Sequence, residues 1–319
     1  MPEIFDNANA CDVLKMSKWF SKEELKPLSN ESSVNSLFEN SFTGCEVDVL
    51  NNDFHNKENC SQMLKYAPKI NGEVEDFRQS LTVGDCWLVA SAKSLSVTPN
   101  GKNAIKQSIY QDECGNVTVT LKGGKPNINK IYLSAEEISK TKNLSQGDDD
   151  VKVLEMAIRK YRKLKLVDDI KSENQELSKI KARLSASPNS GSPTEALYLI
   201  TGKPAYESNP FYTFNSGERK INDIDVIKNA FKNVLTNPSV LSISNKTVKG
   251  DDVSFNVGDK KLFQNHAYSI VGIKDDILQL RNPHNTVDII EVSIKDFAEV
   301  LRNDTNKNVK LAEIKYIKD

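Results

Sequence analysis

Beyond residue 70 the apolar positions fall first at helical spacing and later in alternation. Cys86 to Ser96 (CWLVASAKSLS) and Gly101 to Tyr110 predict two successive helices. Asn116 to Lys122 (NVTVTLK) alternates like a strand, with Ile131 to Ser134 as its partner. Ser134 and Glu137 have the spacing of a capping box, so a short helix follows them. Asp149 to Lys163 is the strongest helical pattern. It has acids in the first turn, bases in the last, and Val151, Leu154, Ala157, Ile158 and Tyr161 on one face. Pro193 to Ile200 begins with an early proline and stops before Gly202, and Ile221 to Leu235 gives a further helix. Strands then dominate at Val240 to Ser244, His266 to Ile273, Ile277 to Arg281 and Val287 to Val292. A helix at Lys295 to Arg302 and a last strand near Lys310 to Ile317 complete the pattern. Helices followed by strands predict an α+β unit over residues 71–319, with an α-rich lobe at about 71–203 and a β-rich lobe at about 204–319.

Residues 1–70 break this pattern. Asp12 to Leu25 supports a short amphipathic helix, but Pro27 and the Ser/Asn-rich run after it sustain no period. The segment holds 9 Asn and carries 7 Lys against 11 Asp and Glu, whereas the rest of the chain is slightly basic. It reads as a polar, weakly structured extension: a solvated tail, or a pro-segment, targeting arm or secretion signal.

Composition narrows the function classes. The 319 residues are 38% hydrophobic and 27% charged, globular on the polar side. With 43 Lys and Arg against 44 Asp and Glu, the net charge of -1 offers no field for a phosphate backbone or anionic lipid, so nucleic acid is not an expected partner. No apolar run approaches the roughly 18 residues of a membrane span, and the start, MPEIFDNANACDVLKM, lacks the pattern of a Sec leader. Five cysteines (Cys11, Cys45, Cys60, Cys86 and Cys114) at irregular spacing argue against a disulfide framework and against zinc. A reducing, cytoplasmic setting is expected, with export by a dedicated system left open.

Candidate chemistry is sparse. Of three histidines, His55 lies in the polar extension, His284 follows a proline in NPHN, and His266 opens the apolar run HAYSIVGI. Cys86 follows a Gly-Asp turn that leads into an apolar helix, so its sulfur lies at a helix N-terminus, where the dipole and free N–H groups favour a thiolate.

GDCWLVASAKSLS, from Gly84 to Ser96, resembles the active-site segment of the calpain family, in which a Gly-Asp-Cys-Trp turn feeds a Leu- and Ala-rich helix. The likeness continues in order through LEMAIRKY (Leu154 to Tyr161), SGSPTEALYLITG (Ser190 to Gly202), HAYSIVGI from His266, LRNP (Leu280 to Pro283) and VSIKDF (Val292 to Phe297). The resemblance implies a papain-like two-lobed cysteine protease core that hydrolyses peptide bonds of protein substrates through a thioester. It implies Cys86 as nucleophile, His266 as general base and then acid, and Asn282 as the group orienting the imidazole. Gln79 is the implied oxyanion donor, shifted by one residue because the family's position falls on Ser80, and the backbone N–H of Cys86 is the other donor.

Two departures bear on the site. The family's Trp after the Asn-Pro pair is replaced by His284, and its paired cleft glycines fall on Ser190 and Gly191, the implied substrate-binding residues. No cofactor is required for this chemistry and no metal site is assigned. Calcium, a regulator in animal relatives, has no ligand that carries over, and Asp148, Asp149 and Asp150 read as the N-terminal charges of a helix. Two other classes stay open: a catalytically inactive calpain-like module that binds proteins, and a thiol acyltransferase or transglutaminase on the same fold.

Overall fold

Eleven residues with no polar face make the helix that starts at Cys86 a buried one. In the computed structural model, α1 (Cys86–Ser96) keeps every residue after Cys86 out of solvent. Its small hydroxyls are satisfied locally: Ser91 and Ser94 donate to the carbonyls of Trp87 and Ser91. The described residues are 60–61, 64–173, 191–215, 218–234, 236–244, 254–303 and 311–317.

The chain runs on through α2 (Pro99–Ser108), β1 (Ile109–Gln111), β2 (Val117–Thr120), β3 (Lys130–Leu133), α3 (Ala135–Lys140), α4 (Asp149–Glu173) and α5 (Pro193–Thr201). Then come β4 (Ala205–Ser208), β5 (Tyr212–Asn215), β6 (Glu218–Ile221), α6 (Ile224–Val234), β7 (Ser239–Ser244), β8 (Ser254–Val257) and β9 (Lys260–Phe263). The last elements are β10 (His266–Lys274), β11 (Ile277–Asn282), β12 (Asn285–Ser293), α7 (Ile294–Asn303) and β13 (Leu311–Ile317). The fold is α+β, as the order of periodicities predicts. Contacts divide the chain into two compact units, Met1–Cys60 with Leu166–Ser187, and Ser61–Lys165 with Pro188–Asp319.

Within the second unit, α1 to α5 and the small antiparallel sheet β1-β2-β3 enclose one apolar cluster built on Leu88, Leu95, Val119, Leu154 and Leu197. A six-stranded sheet in the order β12-β11-β10-β7-β13-β4, with α6 and α7, encloses another built on Phe211, Phe231, Tyr268, Leu280 and Phe297. β10 lies inside this sheet, antiparallel to β7 and β11. Between the clusters, Ala90, Val240 and Ala267 form a small apolar contact against which Cys86 packs.

Local chemistry explains most boundaries. Ser134 Oγ accepts from Glu137 N at 3.0 Å, the cap that its spacing predicts. α5 stops at Gly202, whose φ of 71° suits glycine. α2 starts two residues before the predicted helix because Thr98 caps it, and it ends at Ser108 because Ile109 and Tyr110 pair with Val119 and Thr118. Ile221 belongs to β6, so α6 begins only at Ile224. The two-stranded ribbons β5-β6 and β8-β9 and the edge strand β4 lack a clear alternation and escape the sequence reading. Contrary to the expectation from an odd cysteine count, Cys60 and Cys114 are disulfide-bonded. Cys11, Cys45, His55, Ser190 and nearly all of the 1–70 extension lie outside the described residues.

The acid run at the start of α4 has a structural task. Asp148 Oδ1 accepts from Val151 N at 2.8 Å and caps the helix. Asp149 accepts from Lys69 N at 2.7 Å, and Asp150 accepts from Asn71 N and Gly72 N at 3.1 and 3.0 Å. The three carboxylates thereby tie down the segment that leads to Cys86. No group of three or more His, Cys, Asp or Glu is placed to hold a metal among the described residues, and no helix there is long and apolar enough to cross a membrane.

Farther along, the same segment is stitched to the β11–β12 turn. Gln79 N donates to Pro283 O at 2.8 Å and Thr286 N to Phe77 O at 3.2 Å. Thr286 Oγ1 accepts from Phe77 N at 2.7 Å and donates to Phe77 O at 2.9 Å. Thr286→Val preserves shape but leaves the buried Phe77 N–H without its acceptor, while Phe77 O keeps the Thr286 N–H, so a loss of about 1–3 kcal/mol is expected. The urea midpoint should fall with an unchanged slope, and Thr286→Ser should recover most of the loss.

Candidate active site

The turn at residues 282–285 determines the chemistry of His266. β11 and β12 pair at Arg281↔Ile289 and then at Asn282↔Asn285, a register break that puts the surplus residues on β12 and redirects Asn282. Asn282 Oδ1 accepts the backbone N–H of His284 at 3.0 Å. A backbone amide can only donate, so this bond fixes which amide atom is the oxygen. The same oxygen lies 2.8 Å from His266 Nε2. Nε2 must therefore carry the proton, and Nδ1 keeps its lone pair.

His266 is buried, 8% exposed, within a box of rings. Tyr268 packs edge-on at 5.0 Å between centroids, Phe263 edge-on at 6.2 Å, and His284 lies face to face at 4.9 Å and 12° from parallel. Burial pushes the His266 imidazole down to about 4, against the bond to Asn282, which favours its charged form; a charge on His284 pushes it lower still.

Cys86 reaches the same end of β10 through packing. Ser269 Oγ donates to Ala90 O at 2.8 Å, pinning the second turn of α1 to the fourth residue of β10. One helical turn back along α1 stands Cys86, and two residues back along β10 stands Ala267, both in the same small apolar contact. A helical turn rises about 5.4 Å and two strand residues about 6.6 Å, so the elements advance together to their first residues, Cys86 and His266. The Cys86 thiol is half-buried, and a charge on it acts on the Tyr268 hydroxyl, which burial already holds above its ordinary range.

Gln79 is buried in the loop before α1. Its Nε2 donates to Val83 O at 2.7 Å, which occupies one of the two amide hydrogens. Gly191 lies against Trp87, where an added Cβ would come within 2.4 Å of the indole. The Arg162 guanidinium stands 5.1 Å from that indole ring. Gly191 is thus required by the residue next to Cys86. The structure brings Cys86, His266, Asn282, Gln79 and Gly191 into one region through these contacts.

Sequence reasoning missed the cluster behind Cys86. Asp85 does not cap α1 with its side chain; its Oδ2 is 2.7 Å from Arg159 Nη2. Arg159 also pairs with Glu155, whose Oε2 accepts from Ser145 N at 2.9 Å. Burial, and then the Asp85 charge, push Glu155 up to about 8, with Arg159 opposing. Burial and crowding by the Asp85 charge thus hold the Glu155 carboxyl above the ordinary carboxylate range. The spacing of Glu155 and Arg159 marks a helix pair, but nothing in the sequence shows that Asp85, 70 residues earlier, joins them.

The fold binds the Glu155 proton up to about 8, whereas an unfolded chain releases it in the ordinary carboxylate range. Stability contributed by this group is fully present at low pH and lost as pH rises toward 8. Glu155→Gln removes that loss. Its urea midpoint should gain on the parent's between pH 5 and pH 8, and parallel curves would contradict the assignment.

No protein-family model matches the chain, and no curated protein matches it by sequence.

Proposed function

We propose that the chain is a calpain-like cysteine endopeptidase on a papain-like two-lobed core, with an extended peptide bound between the lobes. The observation that carries the reading is the His266–Asn282 bond, with its fixed tautomer, at the end of β10 that Cys86 shares. Nδ1 is left to take the thiol proton as Sγ bonds to the scissile carbonyl carbon. The tetrahedral oxyanion is held by the Cys86 N–H at the helix start and by the second N–H of Gln79. On collapse the C–N bond breaks, the amine takes the proton from His266, and a thioester remains. Water deprotonated by His266 then attacks the thioester, the C–S bond breaks, and the sulfur regains its proton.

Burial opposes a lone imidazolium at His266. The thiolate and imidazolium therefore charge together, as a pair with shared titration. Gly191 lines the substrate subsite next to the cleaved bond. This chemistry needs no metal. The disulfide-bonded Cys60 and Cys114 favour an oxidising compartment over the reducing one that the cysteine spacing led us to expect.

Labelling with an epoxysuccinyl thiol-protease inhibitor, with and without calcium, tests the reading. Modification should map to Cys86, vanish in Cys86→Ala, and slow about 100-fold or more in His266→Ala, with Asn282→Ala less affected. Labelling spread evenly over the cysteines would overturn it. Mass spectrometry of a protein substrate should find new termini; an isopeptide or amine adduct would point instead to acyl transfer, and an unchanged substrate to a binding module.

A further inference from the structure

The ring stacked on His266 is itself ionisable. An imidazole laid parallel on another at 4.9 Å covers its face as any aromatic would, but it brings a charge when protonated. The same residue supplies the backbone N–H that orients Asn282, so ring and main chain of His284 both act on His266.

Resting on the peptidase reading, we propose that His284 is a positioning residue whose protonation shuts the site off in acid, by placing a second positive charge against the face of His266. When His284 is neutral, the pair of rings carries at most the one charge that the thiolate stabilises. When His284 is charged, an imidazolium at His266 meets a like charge at stacking distance, and the neutral thiol–imidazole pair is favoured. Among the described residues, the following charged and titratable groups lie near the two rings. From α1 there is the Cys86 thiol, and from β10 the Tyr268 hydroxyl, which stays protonated. Lys261 on β9 lies 5.8 Å from the Phe263 ring. Beyond the turn, Asp288 accepts from Asn285, while Arg281 pairs with Asp76. Among these, His284 is the one imidazole, the side-chain type whose unperturbed range falls between pH 5 and 8.

Two measurements on the full chain separate this inference from the function it rests on. The first is imidazole NMR in the Cys86→Ala protein, which needs no activity. The His266 midpoint should rise by about one pH unit or more when His284 is replaced by Phe, which keeps a ring and removes the charge. An unchanged midpoint overturns the inference. The second is the rate of Cys86 alkylation by iodoacetamide as a function of pH. The parent should lose reactivity as pH falls through the ordinary imidazole range, and His284→Phe should label about tenfold faster at pH 5 relative to its own rate at pH 8. His284→Gln, lacking both ring and charge, should show the same acid shift on a lower plateau. A plateau change without the shift would leave His284 as a cover only and overturn the switch. If Cys86 is unreactive at every pH in every protein while the NMR shift is present, the peptidase reading fails and the coupling between the two histidines stands.

Discussion

Helix α1 is enclosed on every side, and most of the molecule is arranged around that enclosure. In a helix with no solvent face an unpaired polar group is costly, so Ser91, Ser94 and Ser96 donate to helix carbonyls and Lys93 reaches Asp76 and Glu75 O, while the buried Trp87 Nε1 makes no such bond. Those bonds settle where the preceding segment runs. That segment is held by the Asp148–Asp150 carboxylates on one side and by the Pro283–Thr286 turn on the other. The loop before the nucleophile and the turn that carries Asn282 thereby become parts of one hydrogen-bonded unit.

Charge is handled differently on the two sides of Cys86. Behind it, Asp85, Glu155 and Arg159 form a buried group in which one guanidinium meets two carboxylates and Glu155 is held above the ordinary carboxylate range. In front of it, His266 stands among aromatic rings that offer no counter-charge, and Asn282, its hydrogen-bond partner among the described residues, is neutral. A site built this way makes any imidazolium depend on what lies directly against it, whether a thiolate or a second histidine ring.

Local signals were strong where the chain makes its own structure. The Ser134 cap, the Gly202 stop, the whole of α1 and the central strands β7, β10 and β11 follow from spacing and residue type alone. They failed where a partner decides the state. Ile109 and Tyr110 continue a helical pattern yet pair with β2, and Ile221 is drawn into β6 by Tyr212. The acid run at Asp148–Asp150 looks like ordinary helix charge, and only the position of residues 69–72 reveals that it also anchors a strap.

The sequence by itself determined the α+β order of elements, the placement of Cys86 at a helix start and of His266 at a strand start, and the Asn-Pro turn that follows. Each of these depends on neighbours within a few positions. Tertiary structure alone decided that Asn282 faces His266 and in which tautomer. It decided that His284 covers the ring, that Asp85 turns away from its helix to join Glu155 and Arg159, and that Gly191 must be small because Trp87 lies against it. Those outcomes depend on distances between segments up to about one hundred residues apart, which no local periodicity encodes.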